Sequence, residues 1–272
     1  MEAQTRSVEI GPEVIAQFQS DGYCIVRGLY GPEEVQPVRR RLEELWEGRH
    51  PYPWPNAFLA ATDPTDRNTP GGNYRSGSMQ LPAAMETVFH DFAYNPKLVS
   101  VMQALLGGPV RHYTDQTIFK AGVHRAERSF YHQDTFYWRL KPKVCINAWV
   151  ALDPVDRDAI ALAFLPGSHK RWRIQFHEEY WDEVRYARGN DGTQYTRRRI
   201  PLSIVDESAE ILTPGSSGDA FFFTNYTWHR AEPNRSGLNK AAYAIAYQLD
   251  RPDNKLSERE IEDLTDGAPR KG

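Results

Sequence analysis

The chain has 272 residues, and its 33 Lys and Arg against 36 Asp and Glu leave a formal net charge of −3, so nothing electrostatic points to nucleic acid or an anionic membrane as partner. Hydrophobic residues at 40% can fill a core and charged residues at 25% are ordinary, which excludes disorder; two cysteines, Cys24 and Cys145, exclude a disulfide framework. No basic start runs into an apolar stretch and no apolar run approaches the ~18 residues of a membrane span, so a cytoplasmic globular protein is expected.

The first third reads as helical. Pro12-Glu13 opens a segment with Val14, Ile15 and Phe18 on one face, stopped by Gly22. A short β-like run covers 23–27. Gly31-Pro32-Glu33-Glu34 then starts a second helix carrying Val35, Val38, Leu42 and Leu45 at helical spacing. A third is signalled by Asn95 as N-cap and Pro96 in the first turn, with Leu98, Val101, Met102 and Leu105 apolar and Gly107-Gly108 ending it. From residue 110 the period changes. Short β-rich runs at 110–120, 129–134, 144–152, 160–165, 200–205, 210–212, 219–224 and 241–249 alternate with turn residues, which predicts an antiparallel sandwich or jelly roll. Two tracts interrupt the rhythm, 47–80 and 168–199. The second carries Trp172, Tyr180, Trp181, Tyr186 and Tyr195 before Arg197-Arg198-Arg199, and both are expected to be ordered covers. The polar ends of the chain are expected to be mobile.

The sharpest chemical signal is Tyr131-His132-Gln133-Asp134. On a strand, residues i and i+2 share a face, so His132 and Asp134 can present an imidazole and a carboxylate to one point. His229 follows far downstream, after the Phe-rich run 221–223. Two histidines and one carboxylate with open positions describe the facial triad of non-haem Fe(II) oxygenases, although a histidine in a β protein is more often a satisfied core or surface residue than a ligand.

The surrounding pattern extends this reading. It runs through Gln116-Thr117-Ile118-Phe119-Lys120, His132-Gln133-Asp134, Asn147-Ala148-Trp149-Val150-Ala151-Leu152 and Leu165-Pro166-Gly167-Ser168-His169. Gly218-Asp219 before the Phe-rich run follows, then Trp228-His229 and Pro233-Asn234-Arg235-Ser236, with Phe18-Gln19-Ser20-Asp21-Gly22-Tyr23 as the opening. In this order the segments resemble the phytanoyl-CoA dioxygenase (PhyH-like) family of Fe(II)/2-oxoglutarate-dependent oxygenases. The resemblance implies a mainly β fold, a double-stranded β-helix (jelly roll, cupin-like) with N-terminal helices packed on one sheet and long loops over the mouth. It implies His132, Asp134 and His229 as the catalytic iron ligands, and Gln116 and Trp149 beside the co-substrate 2-oxoglutarate, with O2 as oxidant. Because these ligands must converge in one barrel, a single domain over 1–272 is expected: helical support and lid loop in 1–109, β-helix core in 110–250, polar tail in 251–272.

One position departs from the family pattern. Where the family has an arginine eleven residues past the distal histidine, this chain has Lys240, and the small hydroxyl residue two past that histidine is Ala231. An ammonium neutralises a carboxylate but cannot reproduce a bidentate fork. Lys240 is therefore the expected 2-oxoglutarate anchor, with Arg235 and Arg75 in reserve. His169 is expected to be structural, Gly218-Asp219 a hairpin turn that aims the next strand, and Asn234 and Ser236 to order the loop after His229.

The expected reaction is oxidation of an aliphatic C–H of a small polar metabolite. Asp134 favours hydroxylation or oxidative ring closure over halogenation, for which related enzymes have a small residue there. The aromatic content of 12% points the same way, since Tyr52, Trp54, Tyr74, Tyr131, Phe136, Tyr137, Trp138, Trp172, Tyr180, Trp181 and Trp228 are expected near the mouth. Such faces suit a carbohydrate-containing or natural-product substrate, as in tailoring steps of antibiotic biosynthesis. The competing readings are a Zn-dependent hydrolase or isomerase on a cupin-like barrel and a non-catalytic sugar-binding domain.

Overall fold

A computed structural model of the chain describes residues 7–46, 57–61, 77–120, 122, 129–180, 186–188, 194–195 and 197–267. In chain order the elements are α1 (Pro12–Asp21), β1 (Tyr23–Val26), α2 (Pro32–Trp46), β2 (Ala57–Ala61), β3 (Gly77–Gln80), α3 (Thr87–Ala93), α4 (Pro96–Leu106) and β4 (Val110–Lys120). Then come α5 (Asp134–Trp138), β5 (Cys145–Ala151), β6 (Leu162–Phe164), β7 (Ile174–Gln175), β8 (Glu178–Tyr180), β9 (Tyr186–Arg188), β10 (Gln194–Tyr195) and β11 (Arg197–Arg199). The chain closes with β12 (Ile211–Thr213), β13 (Ala220–Thr224), β14 (His229–Ala231), β15 (Lys240–Leu249), α6 (Glu258–Leu264) and β16 (Thr265–Asp266).

The helix ends are set by their own residues. Pro12 sits in the first turn of α1, and Gly22 ends it at φ 82°, a left-handed conformation that costs glycine nothing, with its N–H donating to the Phe18 carbonyl. Asn95 caps α4 by accepting from the Lys97 N–H at 3.0 Å. α3 was not expected, since its seven residues are too few for helical spacing to stand out; it buries Phe89, Phe92 and Ala93.

The strands form a double-stranded β-helix. The large antiparallel sheet has the order β1-β13-β5-β15-β4-β3-β2-β9-β10, and the small sheet is β12-β6-β14. Alternation along the strands decides which side chain goes where. Trp149, Ala151, Phe221, Phe223, Ala242 and Ala244 point inward and pack with Leu162 and Phe164 of the small sheet. Their neighbours Ile146, Ala148, Val150, Phe222, Tyr243, Ile245 and Tyr247 point outward and are covered by Phe18, Leu42, Phe89, Leu98 and Met102 of the helices. Both faces of β5 are thus buried, which is why its sequence reads as a nearly unbroken apolar run. Each large side chain so buried contributes about 1.5–3 kcal/mol.

Three expected strands differ. In 129–134 only His132 makes a β-bridge, because Asp134 opens α5 with its carboxylate in the first helical turn. In 200–205 a short 3-10 turn, Leu202–Ile204, replaces the strand; Pro201 at φ −53° has no N–H to give a ladder. The run 160–165 narrows to β6, since Ile160 sits at φ 54°. The C-terminal tail is more ordered than its composition suggests. Ser257 and Glu260 form a capping box that starts α6, and β16 pairs in parallel with β7. Among the described residues no helix is long and apolar enough to cross a membrane.

Candidate active site

His132 and His229 are brought together by backbone pairing between distant segments. The His132 N–H donates to the His229 carbonyl at 3.1 Å, and the His229 N–H donates back at 3.2 Å. Residues paired this way project side chains to the same side, and the two rings lie 4.3 Å apart. Asp134 joins them from the first turn of α5. One donor atom from each of His132, Asp134 and His229 lies within 4.8 Å of the others, and His229 Nε2 is 3.8 Å from Asp134 Oδ1.

Gln133 explains how the two flanking residues face one point without a strand. Its side chain is turned the other way and fully engaged. Nε2 donates to the carbonyls of Arg173 (3.0 Å) and Tyr226 (2.7 Å), and Oε1 accepts from the Gln175 N–H at 2.7 Å. Its backbone N–H donates to His177 Nε2 at 3.1 Å, while His177 Nδ1 faces the Gln175 carbonyl at 2.7 Å.

The donor set suits a divalent metal. His132 Nδ1 faces the Phe130 carbonyl at 3.2 Å and His229 Nδ1 faces the Thr227 carbonyl at 2.9 Å. A carbonyl only accepts, so each Nδ1 carries the proton and each Nε2 keeps its lone pair for the centre. Burial, helped by His132, holds the His229 imidazole well below the usual histidine range. Burial also raises Asp134, against the lowering pull of His132 and an Asn147 hydrogen bond. Two imidazoles that turn Nε2 inward and one carboxylate on one side match the facial set that holds Fe(II) with open positions.

Sheet register places the remaining candidates in rows across the inner face. Thr114, Ala246 and Asn147 form the row level with the triad; Gln116, Ala244 and Trp149 form the next; Ile118, Ala242 and Ala151 the next; Lys240 lies in the fourth, opposite Lys120. The alanines of β15 leave room, and a cavity of about 250 Å³ opens over Gln116, His132, Asp134, Asn147, Ala244 and Ala246. Gln116 accepts from Gln80 Nε2 at 2.6 Å on its wall. Trp149 is buried with its ring edge toward Phe221, on the same face but packed into the core. Lys240 is only 8% exposed; its Nζ donates to the Pro154 carbonyl at 3.0 Å, and no carboxylate pairs with it among the described residues.

The reserves do not join this set. Arg235 is exposed and faces Asp158 at 3.8 Å, and Arg75 lies outside the described residues. Of the expected aromatic wall, Tyr137 and Trp138 line the cavity. Tyr131 turns away toward Glu210, Phe136 stacks on His177, Trp172 packs on Tyr226, Tyr180 packs on Phe130, and Trp228 joins the cluster of Tyr131 and Leu165. Tyr52, Trp54, Tyr74 and the Trp181 side chain lie outside the described residues. His169 Nε2 faces the Gln19 carbonyl at 3.2 Å, a structural role as expected. Asn234 donates to the carbonyls of Lys120 and Leu238 and accepts from Ser236, ordering its loop.

Sequence reasoning gave no role to Asn147, which it read only as part of a family-like segment, and did not single out His177, Glu210 or Arg230. The available signal was a polar residue inside an apolar run for Asn147, and position next to a ligand for Arg230. Nothing local marks the other two.

A β-helix with two imidazoles and a carboxylate at its mouth is the arrangement found in non-haem Fe(II)/2-oxoglutarate dioxygenases. The phytanoyl-CoA dioxygenase (PhyH) family model matches residues 18–242, and the chain belongs to that family. It is 23% identical to the ectoine dioxygenase of Stutzerimonas stutzeri (strain A1501), over 83% of this chain and 72% of that one. It is 20% identical to the phytanoyl-CoA dioxygenase of Arabidopsis thaliana, over 86% and 87% of the two chains. Among solved structures, EvdO2 from Micromonospora carbonacea var. aurantiaca, complexed with 2-oxoglutarate, superposes with a TM-score of 0.69 at 19% identity, covering 97% of this chain and 100% of that one. The epimerase SnoN, in complex with Fe3+, alpha ketoglutarate and nogalamycin RO, gives 0.66 at 18% identity, over 96% and 90%. Their likeness shows the fold.

Proposed function

We propose that the protein is an Fe(II)/2-oxoglutarate-dependent oxygenase acting on an aliphatic C–H of a small polar metabolite, in a natural-product tailoring step, with His132, Asp134 and His229 as the iron ligands. The observation that carries this reading is the convergence of those three donor atoms within 4.8 Å, both Nε2 lone pairs being freed by carbonyls on Nδ1. Fe(II) held by these three residues, with 2-oxoglutarate and O2, would supply the oxidising chemistry, succinate and CO2 being the co-products.

The protein's own residues bind and orient. Asp134 supplies the negative charge that balances the cation. Gln116 and Trp149, one row below the triad, border the co-substrate. Lys240, a buried ammonium whose protein acceptor is a neutral carbonyl, pairs with the far carboxylate. Tyr137 and Trp138 give the cavity an aromatic wall.

Besides the candidate ligands the described lining has Asp115, neutral polar groups from Gln80, Thr114, Gln116 and Asn147, and no Lys or Arg, which disfavours a polyphosphorylated thioester and suits an uncharged polar substrate. SnoN and SnoK are an epimerase and a carbocyclase of nogalamycin biosynthesis, and a sugar-bearing antibiotic scaffold is the substrate class to screen first. Hydroxylation and ring closure are the outcomes to assay.

The test is anaerobic titration with Fe(II) and 2-oxoglutarate. A visible charge-transfer band is expected in the wild type and not in His132→Ala; no band in the wild type, or an unchanged one in the variant, refutes the site. Succinate release coupled to O2 uptake across sugar-based natural products then identifies the substrate.

A further inference from the structure

β5 is buried along its whole length, and its one strongly polar side chain is Asn147, which is 6% exposed. Asn147 Nδ2 donates to Asp134 Oδ2 at 3.2 Å. The amide can face the carboxylate only this way round, because an ionised carboxylate accepts and never donates. Asn147 Oδ1 is then left enclosed with no partner among the described residues.

An enclosed acceptor without a partner destabilises a fold, and an apolar side chain of the same size would pack here without that cost. The bond to Asp134 is therefore what Asn147 contributes. Backbone ladders on both sides hold its strand, to Phe223 of β13 and to Ala246 of β15, so the amide is delivered from a rigid base. The two oxygens of Asp134 are thereby made different. Oδ1 lies 3.8 Å from His229 Nε2, while Oδ2 is held by the amide.

We infer that Asn147 is a positioning residue that restricts Asp134 to one ligating oxygen, so that a divalent cation at the triad keeps three open positions rather than two. This rests on the triad being a metal site. Its consequence is chemical: a chelating co-substrate takes two positions, and the third is the one left for O2.

The probe is Mn(II), added to the full-length protein freed of metal. Three readouts are needed: melting temperature without metal, Mn(II) affinity, and water-proton relaxivity of the saturated complex, which scales with the number of bound waters. In Asn147→Leu the melting temperature without metal is expected to stay near the wild type's, because losing the orphaned Oδ1 offsets the loss of the bond to Asp134 Oδ2. Mn(II) affinity should fall about 10–100-fold, the usual effect of removing a partner of a ligand. Relaxivity should fall by roughly a third as the freed carboxylate takes a second position. Asn147→Val loses the donor with less bulk than leucine and no added charge, and serves if the leucine variant does not fold; the same losses are expected. Wild-type relaxivity in the folded variants overturns the proposal. If instead the wild type binds Mn(II) no more tightly than His132→Ala does, the metal site itself is refuted.

Discussion

Glu210 grips Arg230 through both carboxylate oxygens, at 2.6 Å each, and the same carboxylate accepts from the Tyr131 hydroxyl at 2.6 Å. Tyr131 precedes His132 and Arg230 follows His229. Since the two histidines are backbone partners pointing one way, their chain neighbours point the other way, and Glu210 fastens those neighbours behind the site. Glu210→Gln keeps the shape but removes the charge, leaving the buried Arg230 with Glu232 at 3.0 Å as its remaining ion pair. A loss of about 3 kcal/mol is expected by urea denaturation, at the low end for a broken buried pair because Glu232 persists. Metal affinity should fall with it.

His177 holds the Gln133 backbone between two candidate ligands, accepting its N–H while Nδ1 faces the Gln175 carbonyl. Burial is the main cause that pushes its pKa down to about 4. A histidine depressed in the fold contributes stability that is full above its unfolded pKa, near 6.5, and is lost as pH falls toward 4. Wild-type stability should therefore decline over that window with a component of up to about 1.4 kcal/mol per pH unit from this group. His177→Phe should lack that component and cost about 1–3 kcal/mol at pH 7, because it strands a buried N–H. Urea unfolding at a series of pH values measures both.

Asp219 secures the turn that leads into β13, the strand beside Asn147 and Trp149. Oδ1 accepts from the Gly28 N–H at 2.7 Å, and Oδ2 accepts from the Ser216 N–H at 2.9 Å and from Arg27 at 2.8 Å. Burial raises this carboxyl, but Arg27 and the two backbone donors outweigh it, so its pKa is lowered. Its contribution is then present above the unfolded value of about 4 and is lost as pH falls through the folded value. Asp219→Asn should cost about 1.5–3 kcal/mol at pH 7, and the gap to wild type should close in strong acid.

Lys240→Ala should raise the KM for 2-oxoglutarate about 10–100-fold with a smaller change in kcat, the size expected for one charged hydrogen bond. Lys240→Arg keeps the charge and adds the fork that lysine lacks, so its KM should equal or fall below the wild type's. Wild-type KM in the alanine variant, measured by succinate formation, rules Lys240 out as the anchor.

Much of the framework was legible along the chain. The caps at Gly22, Asn95 and Gly107 and the spacing of Val35, Val38, Leu42 and Leu45 marked three helices to within a residue or two. The run 110–120 became β4 as expected, because strong alternation over eleven residues leaves little ambiguity. The segment 200–205 went the other way, since the missing N–H of Pro201 outweighed the β preference of Ile200, Ile204 and Val205. His132 and Asp134 do face one point, yet not as strand neighbours. A helix start and the anchored Gln133 achieve what a two-residue strand period was expected to do.

Local chemistry thus sufficed for which residues could serve as ligands: an imidazole, a carboxylate two positions on, and a second imidazole among family-like segments. It could not say what stands behind them. Asn147, His177 and Glu210 touch partners 13, 44 and 20 residues away, and such contacts exist only once the strands and the loops between them are assembled. A slip of one residue would turn Asn147 from Asp134 toward the helices and Lys240 from the barrel interior to its outer face. The direction of those side chains is a property of the assembled sheets, and the chemistry available at the site follows from it.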